Sequence, residues 1–474
     1  MRAALRIGFW SGLLILSNLA AAATPNEALT AIVAATVVYP DQDAAHALAA
    51  DQTILISGTT IKAVGPRSRT RVPRGARVIN ATGKWVIPGL IDAHVHFFQS
   101  GNLYTRPDAA DFNRYRPYAE ELARNKARLP ATFKVWLASG VTGVVDIGGP
   151  FWNFDVRDQA RNTEAAPRVV VAGPLISMID RPQLDLGDPP IIRIASPDEA
   201  RALVARELDR KADYIKVWFI HQPGDDLEAQ IAIVRATGEA AHAAGVPLAV
   251  HATELETAKA ALRAGADYLV HSVFDVPVDD EFVALIKERH ALYCPTLFVW
   301  ESYEYALSNL WTATPEEQRL ADPQILASMH DLDHIPKEAI PERVAKLIDK
   351  HEPPAAPQVA LANLARVWSA GVTVVMGTDA GNIGTLHGPS VFREMALMHE
   401  AGLSPLEVLR SATTNGAKAL RLADRVGSIA PGKLADLVIL DADPLVDVGN
   451  LSKANRVIKN GVVFDPKALI DSIR

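Results

Sequence analysis

The feature that most limits what this chain can become is a pair of histidines, His94 and His96. They end the apolar run Val86-Ile87-Pro88-Gly89-Leu90-Ile91-Asp92-Ala93. Side chains alternate across a strand, so the two imidazoles share one face while Ala93 and Val95 take the other. Two imidazoles on one face make half of a first-row metal site. Pro88-Gly89 breaks the chain just ahead, and polar, loop-like residues follow. The histidines therefore belong at the C-terminal end of a strand, where parallel α/β sheets carry their chemistry. An isolated H-x-H is a weak signal on its own, so its meaning depends on the rest of the chain.

The middle of the sequence supplies that context. Apolar strand-like runs alternate with helical patterns, the signature of βα units. Besides the run ending at His96, seven more occur, at residues 141–146, 168–172, 214–218, 247–251, 268–271, 292–296 and 372–379. Eight strands in this alternation predict a (β/α)8 TIM barrel with insertions. Both chain ends read differently, as short strands with turn signals, including an Asn460-Gly461 hairpin turn of the favoured two-residue kind. Together they predict one small β-sandwich-like domain built from both ends. The expected division is a signal peptide over 1–23, the β domain over 24–84 and 430–474, and the barrel over 85–429.

The leader has a basic start at Arg2 and Arg6, an apolar stretch from Ile7 to Leu16, and a small-residue cleavage site at Ala21-Ala22-Ala23. Its apolar part is too short to span a bilayer comfortably, so an exported, periplasmic or extracellular protein with no stable membrane anchor is expected. Cys294 is the only cysteine, which leaves an exported chain without an intrachain disulfide and dependent on its core. A net charge of −7 with no Lys/Arg run argues against a nucleic-acid partner.

Polar residues recur at the ends of the barrel strands: His94 and His96, Lys216, His251, His271 and Asp379. Each has an ordinary alternative. The two later histidines could cap strands, and Asp379 could order the turn at Ala380-Gly381. Lys216, inside Tyr214-Ile215-Lys216-Val217-Trp218-Phe219, could snorkel out of the strand end. Chance is a poor account of ligand-type residues ending five strands of one barrel. Burial and a nearby cation both favour a neutral lysine amine, and a neutral amine can take up carbon dioxide. The resulting carbamate would offer two oxygens to bridge two metals.

The chain resembles the amidohydrolase superfamily, in particular its imidazolonepropionase-like and Xaa-Pro dipeptidase-like branch. The likeness rests on Gly83-Lys84-Trp85-Val86-Ile87-Pro88-Gly89-Leu90-Ile91-Asp92-Ala93-His94-Val95-His96 at the front. At the back it rests on Ala412-Thr413-Thr414-Asn415-Gly416-Ala417 and on Gly427-Ser428-Ile429-Ala430-Pro431-Gly432-Lys433-Leu434-Ala435-Asp436. The resemblance implies that His94 and His96 hold one metal and His251 and His271 the other, with carbamylated Lys216 bridging and Asp379 both ligating and shuttling protons. Two places depart from the branch pattern. Val217-Trp218-Phe219-Ile220-His221 replaces a small Gly-rich loop after Lys216, and Ala252-Thr253-Glu254 follows His251 where a second histidine is frequent.

The expected function is an exported binuclear hydrolase cleaving an amide or peptide C–N bond of a dipeptide or N-acyl amino acid. The expected cofactors are two divalent ions, zinc fitting best, and a CO2-derived carbamate on Lys216. His387, just beyond Asp379, and Tyr303, in the long 298–368 insertion, are the candidates for substrate binding. The rivals are a cyclic amidase, lactonase or esterase on the same centre, and an inactive solute- or metal-binding barrel. The sequence leaves homo-oligomerisation open.

Overall fold

The computed structural model describes residues 29–350 and 357–474; the expected signal peptide, 1–23, lies outside them. Five strands come first: β1 (Leu29–Val38), β2 (Leu48–Ser57), β3 (Thr60–Pro66), β4 (Arg77–Asn80) and β5 (Trp85–Pro88). The middle then carries β6 (Leu90–Val95), β7 (Val141–Asp146), β8 (Arg168–Val171), β9 (Leu175–Ser177), β10 (Ile191–Arg193) and β11 (Ile215–Trp218). It continues with β12 (Leu248–His251), β13 (Tyr268–Val270) and β14 (Leu292–Cys294), and the chain ends with β15 (Leu437–Leu440), β16 (Ala454–Lys459) and β17 (Val462–Phe464).

The two ends share one sheet, ordered β17-β16-β15-β5-β1-β2-β3 with β4 beside β1. They meet where β15 runs antiparallel to β5, Ile439 opposite Val86. Ile32, Ile54, Ile56, Val86, Leu437, Ile439 and Ile458 pack into a core of their own. Burying each such aliphatic side chain contributes about 1.5–3 kcal/mol. The backbone of β5 is committed to β1 and β15, and the chain passes to the next layer only at Gly89. There any side chain would strike Thr142.

The middle is a TIM-barrel-like α/β array. β6, β7 and β8 pair in parallel, as do β11, β12, β13 and β14. Single parallel bridges join Ala172 to Tyr214, Tyr293 to Val374 and Val95 to Ala380. Inside lie Ile91, Ala93, Val145, Ala249, Tyr268, Val270 and Val375, with the thiol of Cys294 buried among them. Tyr268 keeps its hydroxyl satisfied by donating to the Ala93 carbonyl at 2.7 Å.

Two elements differ from the sequence pattern. Residues 372–379 are not a regular strand. The Val375 N–H reaches the Tyr293 carbonyl and that of Met376 the Ser411 carbonyl, but the Thr378 N–H turns to the Asp92 carboxylate. Asp379 then takes φ +62°, which ends extended backbone. The short strands β9 and β10 add to the free edge of β11; at three residues each they are too brief for a periodic signal. Among the described residues no helix is long and apolar enough to cross a membrane.

Candidate metal centre

Five of the six polar residues sit at or just beyond the end of their strand or segment, and Lys216 lies within one. His94 and His96 end β6, Lys216 is inside β11, His251 closes β12, His271 follows β13, and Asp379 follows the irregular eighth segment. Parallel register puts Lys216 level with Ala249 and Trp218 level with His251. The small Ala249 thus leaves space beside the lysine, and one layer up the tryptophan and histidine face the same opening. All six line one cavity with about 180 Å³ of open space.

The side chains converge closely. His94 Nε2 lies 3.3 Å from His96 Nε2 and 3.3 Å from Asp379 Oδ1, while His96 Nε2 is 3.1 Å from that same oxygen. The His94 and His271 rings are 4.9 Å apart, and those of His251 and His271 are 4.4 Å apart. Ligand atoms of His94, His271 and Asp379 all fall within 4.8 Å of one another. That trio cuts across the two-and-two histidine pairing implied by the family resemblance.

Protonation follows from the hydrogen bonds. His96 Nδ1 is 2.6 Å from the Gly148 carbonyl, which can only accept, so Nδ1 carries a proton and Nε2 is the ring atom turned to the cavity. His96 Nε2 faces the Asp379 oxygen, and Asp379 Oδ1 has no partner in hydrogen-bonding geometry. Burial pushes Asp379 up, but His96, His271 and Arg106 outweigh it and hold the carboxylate below its usual range. Burial, then the neighbouring His271 and Lys216, keep His94 well below an ordinary histidine, in its neutral form. Lys216 is 1% exposed and its amine has no hydrogen-bond partner. Burial lowers it from 10.5 to about 7. Histidine, aspartate and lysine donor atoms thus converge in one buried cavity, residue types that suit a divalent cation.

The surrounding chain holds this arrangement under strain. Asp379 (φ +62°), His271 (φ +74°) and Thr296 (φ +43°) occupy left-handed backbone, costly for a β-branched residue. Thr296 Oγ1 bonds His271 Nδ1 at 2.7 Å. Asp92, quoted in the opening motif but given no role there, ties the first strand to the last segment. Its carboxylate accepts from the His94 N–H at 3.1 Å, the Thr378 N–H at 3.0 Å and the Thr378 hydroxyl at 2.6 Å. Gly377 is needed beside it, since a side chain there would strike the His94 nitrogen and Cys294 Sγ.

The two substrate candidates separate. Tyr303 lines the cavity and donates its hydroxyl to Asn382 Oδ1 at 2.7 Å. His387 does not line it. Its ring lies behind β6, stacked on Phe97, with Nε2 donating to the His96 carbonyl at 3.2 Å. It braces the His96 backbone and lies away from the cavity. The cation that does line the cavity is Arg106. Its Nε and NH2 grip Asp108 at 2.7 Å each, and NH1 donates to Asn382 Oδ1 at 2.6 Å. Arg181 also reaches Asp108, at 3.7 Å, so one carboxylate stands between two guanidinium groups. Phe98, Leu175, Leu184, Trp218 and Trp300 form the apolar part of the wall. Sequence offered only the hint that Arg106 stands in a long loop leaving a strand's C-terminal end.

The sequence matches the profile of the Amidohydrolase family over residues 85–464. It is 42% identical over 101 residues to the imidazolonepropionase of Salinispora tropica, a match covering 20% of this chain and 25% of that one. The chain spans about a quarter of the length of the curated relatives it matches first. A Xaa-Pro dipeptidase with methionine bound in its active site superposes with a TM-score of 0.70 at 23% identity, covering 92% of this chain and 100% of that one. Molinate hydrolase gives 0.69 at 24% identity, with 94% and 96% covered. At these identities the structural likeness shows the fold.

Proposed function

The chain belongs to the amidohydrolase family and is an enzyme, and from that premise we propose that it is an exported binuclear metal hydrolase. Its substrate is a dipeptide or N-acyl amino acid, cleaved at the C–N bond. One observation carries this function. His94 Nε2, His96 Nε2 and the unsatisfied Asp379 oxygen converge within 3.3 Å of one another, a buried cluster of ligand-type atoms that a divalent cation would draw together. The solved structures that share the fold include a Xaa-Pro dipeptidase and molinate hydrolase, which favours C–N chemistry over a lactone or ester. We also take the three parallel bridges between the barrel's sheets as closing eight staves into one barrel.

His94, His96, Lys216 as its carbamate, His251, His271 and Asp379 would hold two divalent ions, zinc fitting the histidine-rich set. Bound there, the ions would lower the pKa of a shared water and polarise the scissile carbonyl. The chain's own residues do the rest. Asp379, ionised and fixed by the left-handed turn, accepts the proton of the attacking water and returns it to the leaving nitrogen. Two of the five N–H groups of Arg106 remain after Asp108 and Asn382 are served. They face the cavity as the receptor for a substrate carboxylate. The apolar wall takes the substrate's side chain and keeps bulk water from the bond being cut.

Asp379→Asn tests the proposal. The amide keeps the size and an acceptor but carries no proton, so kcat falls by about a hundredfold or more while metal content stays near two ions per chain. Retained turnover would remove the shuttle role. A wild-type content of one ion, with Lys216 unmodified by mass spectrometry, would remove the binuclear centre.

A further inference from the structure

We infer that a cleft at the foot of the barrel is a binding site for a small phosphate-type dianion, held by Lys459, Arg421 and Arg425. The cleft, of about 590 Å³, lies at the opposite end of the strands from the histidines. Arg168 opens β8 and Asp213 precedes β11, whereas Lys459 and Asn460 come from the hairpin between β16 and β17. One wall is therefore the barrel and the other the sheet made by the chain ends.

A gathering of cations here needs an explanation, because the chain as a whole carries −7. The carboxylates at hand are already committed. Asp436 accepts from Arg168 at 2.7 and 3.2 Å and from the Asn460 N–H at 2.7 Å. Asp213 accepts from Arg157 at 3.2 Å and from the Val171 N–H at 3.0 Å. Arg421 is held in place by two carbonyls, those of Asp213 at 2.7 Å and Gly245 at 3.2 Å, which fix its position without matching its charge.

Lys459 is the second and independent sign. It is only 7% exposed and lines the cleft, yet among the described residues its amine has no hydrogen bond or ion pair. Burial and the adjacent Arg168 pull it down to about 8. A largely buried lysine whose amine meets the cleft beside a guanidinium, with no ion-pair partner, leaves its charge unmatched; an anion in the cleft supplies the acceptor and the charge. Donors arriving from a hairpin on one wall and from a turn on the other suit a tetrahedral oxyanion better than a planar carboxylate. Because both walls contribute, binding fastens the terminal sheet to the barrel and stabilises the fold by linkage.

Inorganic phosphate is titrated calorimetrically into the metal-loaded protein, and the unfolding temperature is followed alongside. Glycerol phosphate, citrate and chloride at matched ionic strength are run in parallel. Saturable phosphate binding with a rise in unfolding temperature is expected. Lys459→Met, and separately Arg425→Ala at an exposed position that does not endanger folding, each weaken it roughly tenfold or more with turnover unchanged. Tighter binding of glycerol phosphate than of phosphate supports the site with an ester as its natural occupant, and the reverse order supports it with the free anion. Citrate binding tighter than both overturns the phosphate assignment. So does a response no larger than that of chloride, or phosphate binding that is unaltered in both variants and competes with substrate, which would place the ion at the histidine centre.

Discussion

Lys216→Met separates what the buried lysine costs the fold from what it gives the chemistry. In protein stripped of metal the residue is an amine, fully buried and without a partner. Its fall from 10.5 to about 7 corresponds to roughly 5 kcal/mol at 1.36 kcal/mol per pH unit, an upper bound. The sign follows from proton counting. Between about pH 7 and 10.5 the unfolded chain holds the proton that the folded chain has lost, so stability rises with pH across that window. The penalty is complete below about pH 7 and gone above 10.5. Methionine matches the length of the stem and carries no charge, so at pH 7 the stripped variant gains about 2–4 kcal/mol over wild type. The gain shrinks to nothing as pH approaches 10.5. Denaturant titrations of both proteins in chelator, at several pH values, measure it. Loaded with zinc and bicarbonate the order inverts, because only the wild type can form the carbamate, and variant turnover falls to about a hundredth or less. A stripped variant less stable than wild type at pH 7 would mean that the amine has a structural partner. Full turnover would make the lysine a packing residue.

Three further outcomes are open to measurement. Arg106→Gln combined with Asp108→Asn, which keeps the pair's charge balanced, raises KM for carboxylate-bearing substrates about tenfold to a hundredfold. The matching neutral amides are unaffected, and equal losses on both would refute the carboxylate receptor. His387→Leu lowers metal affinity about tenfold to a hundredfold in chelator competition, because the His96 carbonyl loses its donor; unchanged affinity would leave the ring only its packing on Phe97 and Trp136. Mass spectrometry of the exported protein finds cleavage near Ala22 or Ala23, and retention of Arg2 would contradict export by a cleaved leader.

The parts of the site that were legible in the sequence are those set by local rules. Alternation along a strand puts His94 and His96 on one face whatever the fold around them, and a polar residue closing an apolar run marks a strand's mouth. Lys216 stood out for the same reason, since a lysine among aliphatic and aromatic neighbours needs an unusual environment. The last barrel segment misled because its composition is that of a strand while its hydrogen bonds are not. Thr378 turns to Asp92, 286 positions earlier, and no window of neighbouring residues reveals such a tie. Asp92 went without a role on the same account.

His387 and Arg106 show where proximity in sequence stops being a guide. His387 follows a proposed ligand by eight residues, which suggested the same cavity. The intervening chain turns back, with Gly381 donating to the Thr385 carbonyl at 2.8 Å and Gly384 at φ +77°, and delivers the imidazole to the far side of β6. There, burial holds it down to about 4, and it meets a carbonyl instead of solvent. Arg106 lies ten residues beyond His96 in a loop with no regular structure, yet it reaches the cavity because Asp108 and Asn382 fix both edges of its guanidinium. Asn382 also donates to the Asp379 carbonyl at 3.1 Å, so the residue proposed to read the substrate and the residue proposed to move its proton hang on one amide side chain. Under that proposal, a substrate held by Arg106 would act, through Asn382, on the backbone that carries Asp379.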